Sequence, residues 1–162
     1  MTEFAKARAL ALIIPAALML GALGSQYVGG LVPCEMCMWQ RWPHYGAIAI
    51  ALLAFGLPNR VVLWVAALAI LISGGIGIWH AGVEYHWWAG LTQCSQPPGS
   101  SSTGNIIADI MKTPLVRCDE AQWTLFGISL AGYNAILSIS GALLIMRLLM
   151  GKSRWTKPKP PQ

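Results

Sequence analysis

Four stretches of this chain carry no charged side chain, and they limit what it can fold into. Residues 9–27, 43–57, 61–79 and 124–146 contain no Asp, Glu, Lys or Arg. A helix that crosses the hydrocarbon core of a bilayer needs about 17–25 mostly apolar residues. The first, third and fourth stretches meet that length, and the second meets it only by borrowing residues from the segment before it. Backbone groups in lipid must find partners within their own segment, so such stretches are helices. Only 10% of the 162 residues are charged, against about 25% in a soluble domain. The chain is therefore predicted to be an all-α membrane protein. It should form one domain, a bundle of four transmembrane helices over about 9–28, 40–57, 61–80 and 124–150. Lys6, Arg8 and the small residues at 21–25 also fit a signal peptide. The run is long for one and three more spans follow, so helix one is expected to be retained.

Orientation follows from where Lys and Arg sit. Lys6 and Arg8 precede helix one, Arg60 lies between helices two and three, and Arg147, Lys152, Arg154, Lys157 and Lys159 follow helix four. The opposite side holds Arg41, Lys112 and Arg117 against Glu35, Glu84, Asp109, Asp119 and Glu120. Both termini are expected in the cytoplasm, with two external loops at about 29–42 and 81–123 and a disordered tail at 151–162. The net charge of +5 then reflects anchors beside anionic lipid, and gives no reason to invoke nucleic acid. Trp79, Trp87, Trp88 and Trp123 bracket the long loop as an interfacial aromatic belt would. Within it, Pro97, Pro98, Gly99 and the serines after them favour an extended, mobile segment. Ile106, Ile107, Ile110 and Met111 share a helical face, with Asn105 to cap it and Thr113-Pro114 to stop it. This is read as a short amphipathic helix on the bilayer surface or a segment packed on the bundle.

All four cysteines fall on the external side of this topology, in a compartment that permits disulfides. Cys34 and Cys37 form a C-x-x-C before helix two, and Cys94 and Cys118 enclose 23 residues of the long loop. The thiolate is the reactive form of cysteine, and nearby positive charge favours it. Cys37 sits near a helix N-terminus, and Arg41 follows four residues later on the same helical face. Its guanidinium could stabilise a thiolate or hydrogen-bond a carbonyl beside it. Zinc binding through C-x-x-C is disfavoured, since no second C-x-x-C completes four ligands, and no metal is assigned. Two inert disulfides would explain four external cysteines but not Arg41 beside them.

The motif Pro33-Cys34-x-x-Cys37-x-x-Gln40-Arg41, four helices, two external loops and the order of the cysteine pairs resemble the disulfide bond formation protein B family of bacterial inner membranes. Residues 118–123, leading into Phe126-Gly127-Ile128-Ser129, are similar to that family's return into helix four. The resemblance implies a thiol oxidase that serves periplasmic oxidative folding, with a quinone, ubiquinone or menaquinone, as cofactor. It implies that Cys94 takes the thiolate of a DsbA-like partner, that Cys118 is released to attack Cys34, and that Cys37 faces the quinone with Arg41 on a ring oxygen. It also points to His80, at the external end of helix three, as a minor contributor to the quinone site. Glu35 between the cysteines departs from what would favour a thiolate.

Three other readings compete. A vitamin K epoxide reductase-like protein also pairs four helices, a quinone and two cysteine pairs, but its C-x-x-C comes late in the chain. A tetraspan scaffold with structural disulfides would carry no electrons. A metal-binding membrane protein would hold zinc. His80 and Glu84 are four residues apart and could share a metal or a hydrogen bond, while His44 and His86 receive no role. Asn134 within helix four is expected to bond between helices, and Gly74, Gly75 and Gly77 to allow close helix packing.

Overall fold

The computed structural model describes residues 2–90 and 116–151. Cys94, the expected short helix near 105–111 and the tail from 152 lie outside the described residues. Four helices form a ring: α1 (Glu3–Tyr27), α2 (Glu35–Gly56), α3 (Arg60–Glu84) and α4 (Leu130–Met150). α1 and α3 each pack against both α2 and α4, so α2 and α4 face one another across the bundle. Three of them, α1, α3 and α4, are long and apolar enough to cross a membrane.

Each helix begins at a side-chain cap. Thr2, Asn59 and Ser129 accept backbone N–H groups of the first turns of α1, α3 and α4. α2 is capped by a sulfur: Cys37 N–H donates to Cys34 Sγ at 3.1 Å. The helix expected to start near residue 40 thus starts at Glu35 and takes in the second cysteine. Helix four, expected from 124, starts at Leu130. Before it, Thr124–Leu125 (β1) pairs antiparallel with Ile128–Ser129 (β2). Phe126 and Gly127 have φ values of +51° and +76°, which fit a tight two-residue hairpin turn that periodicity does not reveal. Tyr85 clamps the hairpin to the end of α3, donating to Gly127 O at 2.8 Å and accepting from Ser129 N at 3.1 Å.

The interior is built from small residues and the outside from large ones. Ala7, Ala11, Ala47, Ala51, Ala54, Ala66, Ala67 and Ala142 are buried around Leu63, Ile70 and Ile145. Leu20, Leu52, Leu53, Leu68, Leu143 and Leu144 are exposed. Lipid tails are as apolar as leucine, so helices in a bilayer associate through close backbone approach and interhelical hydrogen bonds. Two of the three expected glycine contacts exist. A Cβ on Gly74 would lie 2.7 Å from Ile139, and one on Gly77 would lie 3.0 Å from Ala131 O and 3.1 Å from the Asn134 amide. Gly75 has nothing within 4 Å.

Arg8 and Arg60 lie at one end of the bundle. Arg8 lies over the Phe55 ring at 4.4 Å, and Arg60 donates to Leu149 O at 2.9 Å, at the carbonyl end of α4. The described cysteines are at the other end.

Gly77→Ala should push α4 away from α3 and cost about 1–3 kcal/mol, as overpacking does. Gly75→Ala should be near neutral. Thermal unfolding of the two variants in detergent checks this, and equal melting temperatures would contradict it.

Candidate redox site

Three of the four cysteines meet at the upper end of α2. Cys34, Met36, Val83, Val116 and Cys118 form one buried cluster, with Cys37 packed against it. Cys34 is placed by its capping role and Cys37 by the first turn that it closes. Cys118 is delivered by the chain returning from the long loop. That segment is held by Gln122, which donates to Val32 O at 2.6 Å, and by Arg117, which pairs with Asp119 at 2.6 Å and Glu120 at 3.5 Å. The hydrogen bond from Arg117 holds the Asp119 carboxyl down to about 2. Both partners are exposed, so the pair adds little stability.

The Cys34 thiol is pushed well up from its ordinary range. Its hydrogen bond with Cys118 is the largest cause, followed by that with Cys37 and by burial. Three sulfurs in one dry cluster cannot all ionise, and here Cys34 keeps its proton. Cys37, on the first turn of α2, sits in the positive field of a helix N-terminus.

His80 is fully buried and reaches this cluster. Its Nε2 lies 3.5 Å from Cys34 Sγ and 3.7 Å from Glu84 Oε1, and its ring also bonds the Cys118 backbone. Gln40 Nε2, an amide donor, stands 2.7 Å from His80 Nδ1. Nδ1 therefore accepts and Nε2 carries the ring hydrogen, with the Cys118 backbone, Cys34 sulfur and Glu84 around it. The ligand atoms of Cys34, Cys37 and His80 lie within 4.8 Å of one another, close enough to share one soft cation when the cysteines are reduced.

Arg41 takes a direction that the sequence does not foretell. Its guanidinium turns to α1, donating to Gln26 Oε1 and to Ala22 O at 3.2 Å. Two of its five N–H donors are engaged in this way. Arg41, Cys34, Cys37 and His80 all line a cavity of about 340 Å³ whose remaining wall is largely apolar, with Leu18, Leu31, Val32 and Leu137 among its residues.

Gln40, His44, Ser73, Asn134 and Ser138 form a buried hydrogen-bonded knot behind these groups. The sequence reading assigned no site role to any of them, although polar residues inside an apolar run are themselves a signal.

The family described as "Disulfide bond formation protein DsbB" matches residues 5–148. The chain belongs to the DsbB family. A "Disulfide bond formation protein B" of Verminephrobacter eiseniae is 31% identical over 172 residues, covering 95% of this chain and 92% of that one. The protein of that name from Marinobacter nauticus is 28% identical over 155 residues, 85% and 89% of the two chains. One from Burkholderia ambifaria is 47% identical over 64 residues, 38% and 37% of the two. No solved structure gave a significant match. Membership in the DsbB family makes this a multi-pass membrane protein and an oxidoreductase of disulfide bond formation.

In the reduced protein, iodoacetamide should label Cys37 ahead of Cys34 at pH 8. Cys118→Ala removes the main cause holding the Cys34 proton and should raise Cys34 labelling several-fold, read by mass spectrometry. An unchanged rate would show that the third sulfur does not control it.

Proposed function

We propose that this chain is a protein-dithiol:quinone oxidoreductase. It would reoxidise a DsbA-like, thioredoxin-fold thiol oxidase of the periplasm and pass the electrons to a membrane quinone, ubiquinone or menaquinone. The meeting of Cys118, from the long loop, with Cys34 and Cys37 in the wall of an apolar cavity carries this reading. All four helices would span a bacterial inner membrane. α2 has 22 residues, about 33 Å at about 1.5 Å each, enough for a core of about 30 Å. The gathering of Arg8 and Arg60 at the end away from the cysteines supports cytoplasmic termini and periplasmic cysteines.

The chemistry is two thiol–disulfide exchanges in series. A thiolate of the reduced partner attacks Cys94 in a Cys94–Cys118 disulfide and releases Cys118 as thiolate. The partner's second thiol displaces Cys94, so the partner leaves oxidised and the loop pair holds two electrons. Cys118 then attacks Cys34 of a Cys34–Cys37 disulfide and releases Cys37. Cys94 resolves the Cys118–Cys34 bond, which restores the loop disulfide and leaves Cys34 and Cys37 as a dithiol. The adjacency of Cys118 and Cys34 suits the cross-pair step. Cys37, the group released, stands at the helix N-terminus, where a developing thiolate is favoured. His80 Nε2–H is positioned to hydrogen-bond Cys34 sulfur as its bonding changes.

The cavity fits a quinone headgroup by volume, since small-molecule pockets run from about 300 to 1,000 Å³. Its apolar wall suits the ring, and the spare donors of Arg41 suit a ring oxygen. A quinone held there would supply an acceptor for two electrons and two protons. A DsbA-type partner is itself a strong oxidant at about −120 mV, so its reoxidation needs an acceptor of still higher potential.

Purified protein given a reduced DsbA-like partner should reduce quinone, and Cys37→Ser or Cys94→Ser should abolish turnover. Arg41→Ala should lower kcat/KM for quinone by about tenfold or more, the effect of losing a charged hydrogen bond. Arg41→Lys should fall between, because lysine keeps the charge and loses the planar fork. Folded protein with intact disulfides and no turnover on any quinone would support a structural role for the cysteines instead.

A further inference from the structure

Three thiols meet in one dry cluster, and their number decides what they can hold together. Cys34, Cys37 and Cys118 are free cysteines in this structure. Cys34 hydrogen-bonds both Cys118 and Cys37, and the Cys34 and Cys37 sulfurs lie within 4.8 Å of each other. Met36, Val83 and Val116 complete the cluster around them. His80 Nε2 stands 3.5 Å from Cys34 Sγ, but it carries the ring hydrogen because Nδ1 accepts from Gln40. It can donate to a sulfur. To ligate a metal it would have to lose that hydrogen and reverse the bond to Gln40. Glu84 adds a carboxyl group, with Oε1 3.7 Å from His80 Nε2 and Oε2 buried without a hydrogen-bond partner. Its oxygens suit hard cations, whereas thiolates select soft centres. The soft donors of the cluster are three sulfurs.

Charge then chooses among soft centres. Net charge is costly to bury without compensation. Three thiolates around a monovalent cation leave two negative charges in the cluster, and around a divalent cation they leave one. An ionised Glu84 beside them would worsen either excess. Zinc also asks for a fourth ligand. A trivalent centre leaves no net charge, and trivalent arsenic bonds three sulfurs with no fourth ligand. Its hydroxide, arsenous acid, is small and uncharged at neutral pH. The largely apolar cavity whose wall includes Cys34 and Cys37 therefore admits it without a desolvated ion.

We propose that Cys34, Cys37 and Cys118 of the reduced protein form a three-sulfur binding site for trivalent arsenic, taken up as arsenous acid. Each thiol gives its proton to one hydroxyl of As(OH)3. Three As–S bonds replace three As–O bonds, three waters leave, and no electrons move. The C-x-x-C by itself offers two sulfurs. The third comes from the segment returning from the long loop, so the site exists only where the fold lays Cys118 against α2. Arsenic held there blocks re-formation of any disulfide by these cysteines. Binding needs free thiols and no quinone, so this inference goes beyond the proposed electron path and does not rest on it.

The test counts sulfurs. Full-length protein in detergent is reduced with a phosphine, freed of quinone and titrated anaerobically with sodium arsenite. The intact mass should rise by one arsenic atom less three hydrogens, a result that needs no variant to fold. Iodoacetamide mapping should then find Cys34, Cys37 and Cys118 protected and Cys94 still labelled. Protection across the titration gives the affinity. Cys118→Ser should weaken arsenite binding about tenfold or more. Phenylarsine oxide can bond only two sulfurs, so the same variant should bind it within about twofold of wild type. Cys94→Ser should leave arsenite affinity unchanged. A mass that reports two sulfurs and a retained hydroxyl overturns the three-sulfur site, as does protection of Cys94 in place of Cys118. Equal arsenite affinity of Cys118→Ser and wild type, or no arsenite bound at all, overturns it too. The quinone reading stands or falls separately, since no quinone is present.

Discussion

The side-chain amide of Asn134 ties the bundle together at its centre. α2 and α4 face each other across the ring, and Asn134 closes that diagonal by reaching Gln40 and His44 on α2 and Ser73 on α3. Polar groups in an interior without water must be satisfied by one another, at a cost of several kcal/mol for each that is not. The requirement propagates. α4 must approach α3 closely, so Gly74 and Gly77 stand where a Cβ would meet Ile139, Ala131 or Asn134 itself. Gln40 must turn inward, and in doing so it orients His80 toward Cys34. The chemistry at the sulfurs is thereby coupled to helix packing one to two turns below it.

Cys34 joins two functions that are usually separate. It caps α2, as Thr2, Asn59 and Ser129 cap the other helices, and it is the sulfur that lies beside both Cys37 and Cys118. A helix N-terminus offers positive potential to whichever sulfur carries charge. Crowding by Cys118 and Cys37 withholds that charge from Cys34. The proton inventory of the cluster therefore depends on whether Cys118 is present.

Arg41 and His44 extend the same logic to the cavity. Arg41 is held by α1 and His44 by α3 and α4, although the two are three positions apart on α2. Neighbouring helices, more than α2 itself, decide which way the polar side chains of α2 turn.

Composition and spacing alone determined the helical membrane class, three runs long and apolar enough to cross a bilayer, and the excess of basic residues on one side of the chain's expected topology. These features rest on local sequence: runs of apolar residues long enough for a bilayer, and side chains whose chemistry does not depend on neighbours. Tertiary structure decided the rest. The hairpin at 124–129 depends on two positive φ values in an apolar stretch that otherwise reads as helix. The capping role of Cys34 depends on where α2 begins, the turn of Arg41 toward Gln26 on the approach of α1, and the bonding of His44 on Asn134, ninety residues away in sequence. Hydrogen-bond direction is a property of partners, and partners so distant in the chain are chosen only when the helices pack.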